Sequence, residues 1–163
     1  MGQGGVSIVE IETLYRKDLP RFLRATAAIL GDEGSAADAV HDAFASAVRA
    51  RSSFRGDVPL EGWLWRIVVN AALQIRRGPC ADAEPREAEP VTQANGHPIE
   101  DLVVRRWVAL LPERQRLAIF LRYFADLDYR SIAAALDVEV GTVSATLAAA
   151  HAALRRSALE VER

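Results

Sequence analysis

The sequence predicts an all-α protein made of two small helical domains, and three observations lead to this class. Alanine is abundant, apolar residues recur at spacings of three and four, and no alternating strand pattern is sustained. Half of the 163 residues are hydrophobic, which is enough apolar material for one domain or two small ones. A segment rich in Pro, Gly and acid separates two such helical stretches, so we expect two domains.

The separating segment runs from 78 to 96 and begins with the helix stop Gly78-Pro79. It has no periodic apolar face and carries 1 basic against 4 acidic residues. The flanking parts are balanced, with 10 basic against 9 acidic residues in 1–77 and 9 against 9 in 97–163. We therefore predict two domains, 1–77 and 97–163, joined by a flexible acidic linker.

Two helices are predicted at the start of the first domain. The first carries a core-facing stripe and ends at Gly31; its apolar positions are Ile11, Leu14, Tyr15, Leu19, Phe22, Leu23, Ile29 and Leu30. The second is predicted to begin at Ser35, with Asp38 three residues later in the manner of a capping box. Its buried side is expected to be Val40, Phe44 and Val48, which turns His41 and Asp42 outward.

A third helix follows the loop at 52–57, with Pro59 in its first turn. Its predicted core face is Leu60, Trp63, Leu64, Ile67, Val68, Ala71 and Ile75. On this pattern Trp63 belongs to the core, whereas Trp65 is expected to be half exposed. Asn70 is a polar amide within an apolar run and is expected to be exposed, because burial would cost it hydrogen bonds with water.

The second domain contains a predicted helix-turn-helix. Asp128 is suited to cap a short helix, whose apolar face is Tyr129, Ile132, Ala133 and Leu136. Asp137 is expected at the turn, since Asp tolerates a left-handed backbone better than most residues. A longer helix then begins near Gly141, with the stripe Val140, Val143, Leu147 and Leu154. Such a unit commonly places its second helix in the major groove of DNA, although an ordinary helical hairpin has the same periodicity.

Several classes of protein are disfavoured by composition. A single cysteine, Cys80, cannot form a disulfide framework and fits a reducing compartment, so we expect a cytoplasmic protein. No apolar run reaches the roughly 20 residues of a membrane span, so no membrane insertion is expected. His41, His97 and His151 are scattered, and no metal-ligand spacing or phosphate-binding glycine loop occurs. We therefore expect no enzyme activity, no cofactor and no metal.

Five stretches carry a resemblance to a known family. They are DAVHDAF at 38–44, FRGDVPLEGWLWRIVVNAALQIRR at 54–77, LPERQR at 111–116, YRSIAAAL at 129–136 and GTV at 141–143. In this order and spacing they resemble the extracytoplasmic-function (ECF) group of bacterial RNA polymerase sigma factors. The resemblance implies a transcription initiation factor with a region 2-like domain at 1–77 and a region 4-like domain at 97–163. It also implies three partners, namely core RNA polymerase, promoter DNA and an anti-sigma factor.

The resemblance assigns residues to three surfaces. The polymerase-binding residues would be Asp38, His41 and Asp42. The residues at the minus-ten element would be Arg55, Trp65, Arg66, Asn70, Arg76 and Arg77, which supply aromatic surface, an amide and cations for an unstacked strand. The residues at the minus-thirty-five element would be Arg130, Thr142, Ser144, Ala145, Thr146, His151 and Arg155.

The recognition helix departs from the family pattern and keeps a second interpretation open. Where the family usually carries Lys and Arg, this chain has Ser144, Ala145, Thr146, Ala148, Ala149 and His151. Fewer cations mean fewer phosphate contacts and a weaker electrostatic contribution to DNA affinity. His41, where the family usually has Gln, is a milder departure. The alternative is therefore a sigma-like interaction module that binds polymerase or an anti-sigma partner with weakened DNA reading.

Overall fold

The computed structural model describes residues 4–78 and 98–161, and within these ranges the regular structure is helical, as predicted. Three helices form the first bundle: α1 (Ile8–Leu30), α2 (Glu33–Ala50) and α3 (Leu60–Arg76). A single 3₁₀ turn, Arg51–Ser53, follows α2. The second bundle has α4 (Pro98–Ala109), α5 (Glu113–Tyr123), α6 (Tyr129–Leu136) and α7 (Val140–Val161). The predicted linker beyond Gly78, with Cys80 and His97, lies outside the described residues.

The ends of α1 are fixed by local chemistry. Ser7 and Glu10 form a capping box, in which each side chain accepts the other residue's backbone N–H, at 3.2 Å and 3.0 Å. The backbone N–H and the hydroxyl of Ser7 both donate to the Glu10 carboxylate, and these two hydrogen bonds lower the pKa of the Glu10 carboxyl. At the other end Gly31 has φ 74°, and its N–H donates to the carbonyl of Ala27 at 2.7 Å. The predicted stop at Gly31 is confirmed, whereas the capping box was not anticipated.

The predicted start of α2 at Ser35 is wrong by two residues. Asp32 is the N-cap, with an extended backbone, and its carboxylate accepts the N–H of Ser35 at 2.6 Å. Ser35 is therefore already helical, and Asp38 is an exposed residue of the second turn. Asp32 rather than Ser35 caps the helix, because its carboxylate accepts a backbone N–H of the first turn and its negative charge complements the helix dipole.

The buried stripe of α3 is rotated relative to the predicted one. Trp65 is fully buried, with its ring centroid 4.3 Å from that of Phe22, so the expectation that it is half exposed is wrong. Trp63, predicted as core, is only half-buried and stacks beside Phe54 at 5.3 Å. Ile75 is 45% exposed. The observed stripe is Leu64, Trp65, Val68, Val69 and Ala72, because α3 presents this face to both α1 and α2.

The second bundle contains the predicted helix-turn-helix. Asp128 caps α6 by accepting the N–H of Ser131 at 2.7 Å, and Asp137 ends the helix with φ 56°. The axes of α6 and α7 differ by 98°, within the range of helix-turn-helix units. Val143 and Leu147 are buried as predicted, whereas Val140 is 46% exposed and Tyr129 40% exposed. Each of these two residues is the first of its helix.

The two bundles pack against each other through α3 and α6. Buried residues of both bundles form one continuous apolar cluster, which passes from Phe22 and Trp65 to Leu117 and Ile132. The sequence did not predict this contact. Among the residues described, no single helix is long and apolar enough to cross a membrane.

Candidate nucleic-acid interface

The outward face of α2 carries the three residues assigned to the polymerase. Asp38, His41 and Asp42 are all exposed, while Val40 and Phe44 are buried on the opposite side. Their spacing of three and four places the three side chains on one helical face. The prediction that His41 and Asp42 face outward is confirmed.

An open groove of about 460 Å³ lies between the exposed edges of α2 and α3. Asp42 and Ser46 line one side, and Asn70 and Gln74 line the other. Asn70 is exposed, as predicted, and it also lines a smaller cavity of about 260 Å³ between α3, α5 and α6. Its amide therefore stands between two concave surfaces with both a donor and an acceptor available.

The arginines assigned to the minus-ten element are exposed, and three of them are paired with carboxylates of the second bundle. Arg66 lies 3.2 Å from a carboxylate oxygen of Asp137. Arg76 and Arg77 lie 3.5 Å and 3.1 Å from oxygens of Glu113. Arg55 is exposed in the loop after the 3₁₀ turn. Trp65 is buried and contributes no surface here, so the aromatic area nearest this loop belongs to Phe54 and Trp63.

Glu113 interacts electrostatically with three arginines, Arg76, Arg77 and Arg116. Burial lowers the pKa of the nearby Arg116 guanidinium, the charge of Arg76 lowers it further, and Glu113 raises it. Arg116 also donates to the carbonyl of Ala109 at 3.0 Å. The carboxylate of Glu113 thus lies beside Arg76 and Arg77 at the end of α3, and it acts on the charge of Arg116 in its own helix.

The residues assigned to the minus-thirty-five element divide into two groups. Five are exposed, and they are Arg130, Thr142, Ser144, Ala145 and Arg155. Thr146 is half-buried and donates its hydroxyl to the carbonyl of Thr142 at 2.7 Å. His151 is also half-buried, with Nε2 2.8 Å from the hydroxyl of Tyr123. The sequence of α7 has no Lys or Arg before Arg155, so its exposed N-terminal half is uncharged.

Three residues with clear structural roles at this surface were not singled out from the sequence, and a fourth, Asp137, was predicted only as a turn residue. Three of these residues contact the facing bundle: Arg21 from α1, Gly62 from α3 and Glu113 from α5. Asp137 does the same from the turn after α6. A signal was present for Gly62, because an isolated Gly within a helical pattern often marks a close approach. The three charged residues gave no signal, since exposed charges on helices are common.

Comparison with known protein families gives one match for each of the two bundles. The family model for Sigma-70 region 2 matches residues 14–78, and that for Sigma-70, region 4 matches residues 102–154. The ECF RNA polymerase sigma-E factor of Escherichia coli K12 is 36% identical over 140 residues, covering 74% of this chain and 72% of that protein. The RNA polymerase sigma-H factor of Pseudomonas aeruginosa PAO1 is 31% identical over 145 residues, covering 77% and 74%.

Two solved structures share the fold. CnrH in complex with the cytosolic domain of CnrY superposes with a TM-score of 0.70 at 22% identity, covering 96% of this chain and 92% of that chain. The sigma factor RpoE in complex with the anti-sigma factor NepR from Bartonella quintana superposes with a TM-score of 0.75 at 21% identity, covering 96% and 100%. The sequence relatives, the two region matches and the helical architecture agree, and this chain belongs to the ECF group of RNA polymerase sigma factors.

Proposed function

We propose that this transcription initiation factor holds core RNA polymerase with the α2 face of Asp38, His41 and Asp42 and opens the minus-ten element with α3. The observation that supports the second part is the exposed amide of Asn70. It lies on the same helix as the exposed cations Arg66 and Arg76, and it borders two concave surfaces. An amide reads base edges and arginines hold phosphates, which is what trapping an unstacked strand requires.

The remaining assignments follow from this proposal. The first bundle, within 1–77, serves the polymerase and the minus-ten element, and the second, within 97–163, serves the minus-thirty-five element. A segment at 78–96 joins them. An anti-sigma protein is a further partner, supported by one structural neighbour, the sigma factor RpoE, which was solved in complex with the anti-sigma factor NepR. The place of action is the cytoplasm, where polymerase and promoter are found.

A second candidate function is supported by α7. Its first four turns expose Ser144 and Ala145 without a cation, so the phosphate contacts expected of a recognition helix are reduced. A sigma-like interaction module would bind polymerase or an anti-sigma protein and read DNA weakly. Run-off transcription with core polymerase on a pool of genomic promoters separates the two functions, because the module would bind polymerase without producing transcripts.

The minus-ten proposal is tested by Asn70→Ala. Because Asn70 is exposed, its truncation should change the free energy of unfolding by no more than about 0.5 kcal/mol and leave polymerase binding intact. Permanganate reactivity of thymines in the minus-ten region should be lost at a promoter that responds to the wild-type protein. Gln74→Ala is the matched control, since Gln74 is exposed one turn further along the same groove. Wild-type reactivity in the Asn70 variant would remove this residue from the minus-ten site.

A further inference from the structure

Tyr123 and His151 form a hydrogen-bonded pair at the surface of the second bundle. Tyr123 is the last residue of α5 and is 60% exposed, whereas His151 lies half-buried on α7. The phenol oxygen of Tyr123 lies 2.8 Å from Nε2 of the imidazole, and the two ring centroids are 5.8 Å apart in an edge-on arrangement. A tyrosine this exposed contributes little to the core, so the pair is available to a ligand.

His151 lies on a side of α7 that begins at a residue assigned to the minus-thirty-five element. Spacings of four, three and four place one row of side chains along this side of the helix: Ser144, Ala148, His151 and Arg155. Seven residues of helix, about 10 Å, separate Ser144 from His151, and the major groove is about 12 Å wide. When Ser144 reaches the base edges, His151 therefore lies at the edge of the groove, beside the phosphates.

Protonation of His151 would give this row a charge that its other residues lack. The segment from Val140 to Leu154 contains no Lys, Arg, Asp or Glu, so the imidazole is its one ionisable side chain. Within the described part of the chain, no carboxylate forms an ion pair with His151. A charge that no internal partner neutralises can be used to hold a phosphate.

The cations around the pair do not obstruct this contact. Helix α7 packs against α4, α5 and α6. On α5, Arg122 precedes Tyr123 but donates to the carbonyl of Leu127 at 2.9 Å and lies over the ring of Tyr129. On α7, Arg155 is one turn beyond His151 and adds a second cation to the same row. The remaining cations with described side chains on these four helices are Arg106, Arg114, Arg116, Arg130 and Arg156.

The acidic residues of these helices lie away from the pair. Glu113 is ten residues from Tyr123 along α5, and Glu160 is nine residues from His151 along α7, which correspond to about 15 Å and 13 Å. The acids next to the helix ends are Asp126, Asp128, Asp137 and Glu139. Asp128 caps α6 and Asp137 pairs with Arg66. Asp126 and Glu139 are exposed and are not hydrogen-bonded to the pair.

A phenol beside an imidazole can serve both charge states. When the neutral ring carries its proton on Nδ1, the hydroxyl of Tyr123 donates to Nε2 of His151. When the ring is protonated on both nitrogens, Nε2–H donates to the phenol oxygen, and the hydroxyl proton becomes available to another acceptor. Protonation therefore gives the pair a positive charge and a free O–H donor together, and phosphate oxygens accept from both kinds of group.

We propose that Tyr123 and His151 form a phosphate-contact site for the minus-thirty-five duplex, which is completed when His151 takes up a proton. This site rests on the proposed function of the second bundle at that element. Phosphate binding and proton uptake each favour the other. The site supplies a cation to a helix side that otherwise has none before Arg155, and it makes promoter affinity depend on pH in the range where imidazoles titrate.

The charge is tested with the full chain bound to core polymerase and a labelled promoter duplex. His151→Gln keeps a hydrogen-bonding side chain that does not titrate. Dividing by the affinity of this variant at each pH removes other pH effects, and the wild type should then bind roughly three- to fivefold tighter at pH 6 than at pH 8. Its plot of log K against log salt should steepen by up to about 0.9 at pH 6. His151→Arg should bind tightly at both pH values.

The hydroxyl is tested with Tyr123→Phe, which keeps the exposed ring. This variant should bind the duplex about twofold more weakly than the wild type at pH 6 and equally at pH 8. Tyr129→Phe is the matched control, because Tyr129 is another exposed tyrosine of the same bundle, and it should keep the wild-type dependence on pH. Far-UV circular dichroism checks that the helix content of each variant is retained at both pH values.

Nuclear magnetic resonance of the free chain gives a readout that needs no DNA. The chain has three histidines, and the imidazole signal that is missing in His151→Gln belongs to His151. Tyr123→Phe should shift the titration midpoint of this signal and leave the signals of His41 and His97 unchanged.

The possible outcomes separate this site from the function on which it rests. An equal dependence on pH in the wild type and in His151→Gln overturns the site. A Tyr123→Phe variant with wild-type affinity at both pH values and an unchanged imidazole titration removes the tyrosine and overturns the pair. A wild-type holoenzyme that does not distinguish the promoter from a duplex with a scrambled minus-thirty-five element overturns the proposed function and the site together. Promoter preference without the dependence on pH overturns the site alone.

Discussion

Asp128 illustrates how a single side chain links sequence, local structure and pH. Its carboxylate accepts the backbone N–H of Ser131 at 2.7 Å, and this hydrogen bond is the main cause that lowers the pKa of the carboxyl below its ordinary 3.8. A carboxyl whose pKa is lower in the folded state stabilises the fold above its unfolded pKa. That contribution is lost as the pH falls through the lower, folded pKa.

We expect Asp128→Ala to lower the free energy of unfolding by about 1 kcal/mol at neutral pH, because the N–H at the start of α6 loses its partner. Asp128→Asn keeps an acceptor and should cost less. It should also weaken the fall in stability below about pH 4, since an amide does not titrate there. Urea unfolding at a series of pH values measures both effects. The same acid dependence in Asp128→Asn and wild type would show that this cap carries no pH-linked stability.

The residues predicted correctly from the sequence share a local cause. Gly31, Asp128 and Asp137 end or begin helices through their own backbone preferences and side chains, which neighbouring sequence determines. Trp65 was placed wrongly because its burial depends on two other helices. Apolar residues occur on several sides of α3, so their spacing alone did not decide which side faces Phe22.

At the scale of the element, the buried side of α7 follows from its sequence, whereas its exposed side has few residues of the types that contact DNA. Val143 and Leu147 are buried, so the opposite face is presented to solvent. That face offers Ser144 and Ala145 as exposed positions and Thr146 as a half-buried one. The periodicity of the sequence predicted the buried side, because burial follows spacing. It did not reveal how Thr146 and His151 are hydrogen-bonded, since those partners lie on another turn or another helix.

Added charge should reveal whether α7 meets DNA. Ser144→Lys with Thr146→Arg places two cations near the start of the helix and removes the Thr146 hydroxyl that competes for a helix carbonyl. If the helix docks in a major groove, log K against log salt should steepen by up to roughly two units, about 0.9 for each phosphate neutralised. Anisotropy over a salt series, with a duplex from a responsive promoter, measures this slope.

A second charged pair controls for net charge. Thr13→Arg with Ala37→Lys adds the same two charges at exposed positions of α1 and α2. This variant should change the salt slope much less than the α7 pair. Equal slopes for the two variants would mean that α7 does not face the duplex, and the interaction-module function would then be favoured for the second bundle.

At the scale of the whole molecule, sequence patterns could not predict how the two bundles pack against each other. The contact of α3 with α6 joins residues about seventy positions apart, such as Gly62 and Ala134, and no local periodicity encodes such a pairing. The charged residues at this contact, such as Glu113 and Arg77, look like ordinary surface residues in the sequence and are paired only in the fold. The two helical units were predictable because each has its own apolar stripes. Their packing was not, because it depends on surfaces that are also suited to water or DNA.

The packing of the two bundles leaves the α2 face exposed, so its proposed contact with polymerase can be tested apart from the contact of α3 with α6. Asp42 is exposed on α2, so Asp42→Arg should weaken the affinity for core polymerase by roughly five- to tenfold through like-charge or lost-pair effects. Its free energy of unfolding should change by no more than about 0.5 kcal/mol. Glu160→Arg is the charge-matched control, since Glu160 is exposed near the end of α7. Binding is measured by titrating labelled protein with core polymerase.

The same titration in the Gly62→Ala background, where the added Cβ would lie 2.7 Å from that of Ala134, examines whether the α2 face and the contact of α3 with α6 are independent. Asp42 lies on α2, whereas Gly62 lies where α3 packs against α6, so the two substitutions share no contact in that interface. Their effects on polymerase affinity should add within about 0.5 kcal/mol. A wild-type affinity in Asp42→Arg would remove α2 from the polymerase site. Strong coupling between the substitutions would instead mean that the packing of the two bundles affects the polymerase contact at Asp42.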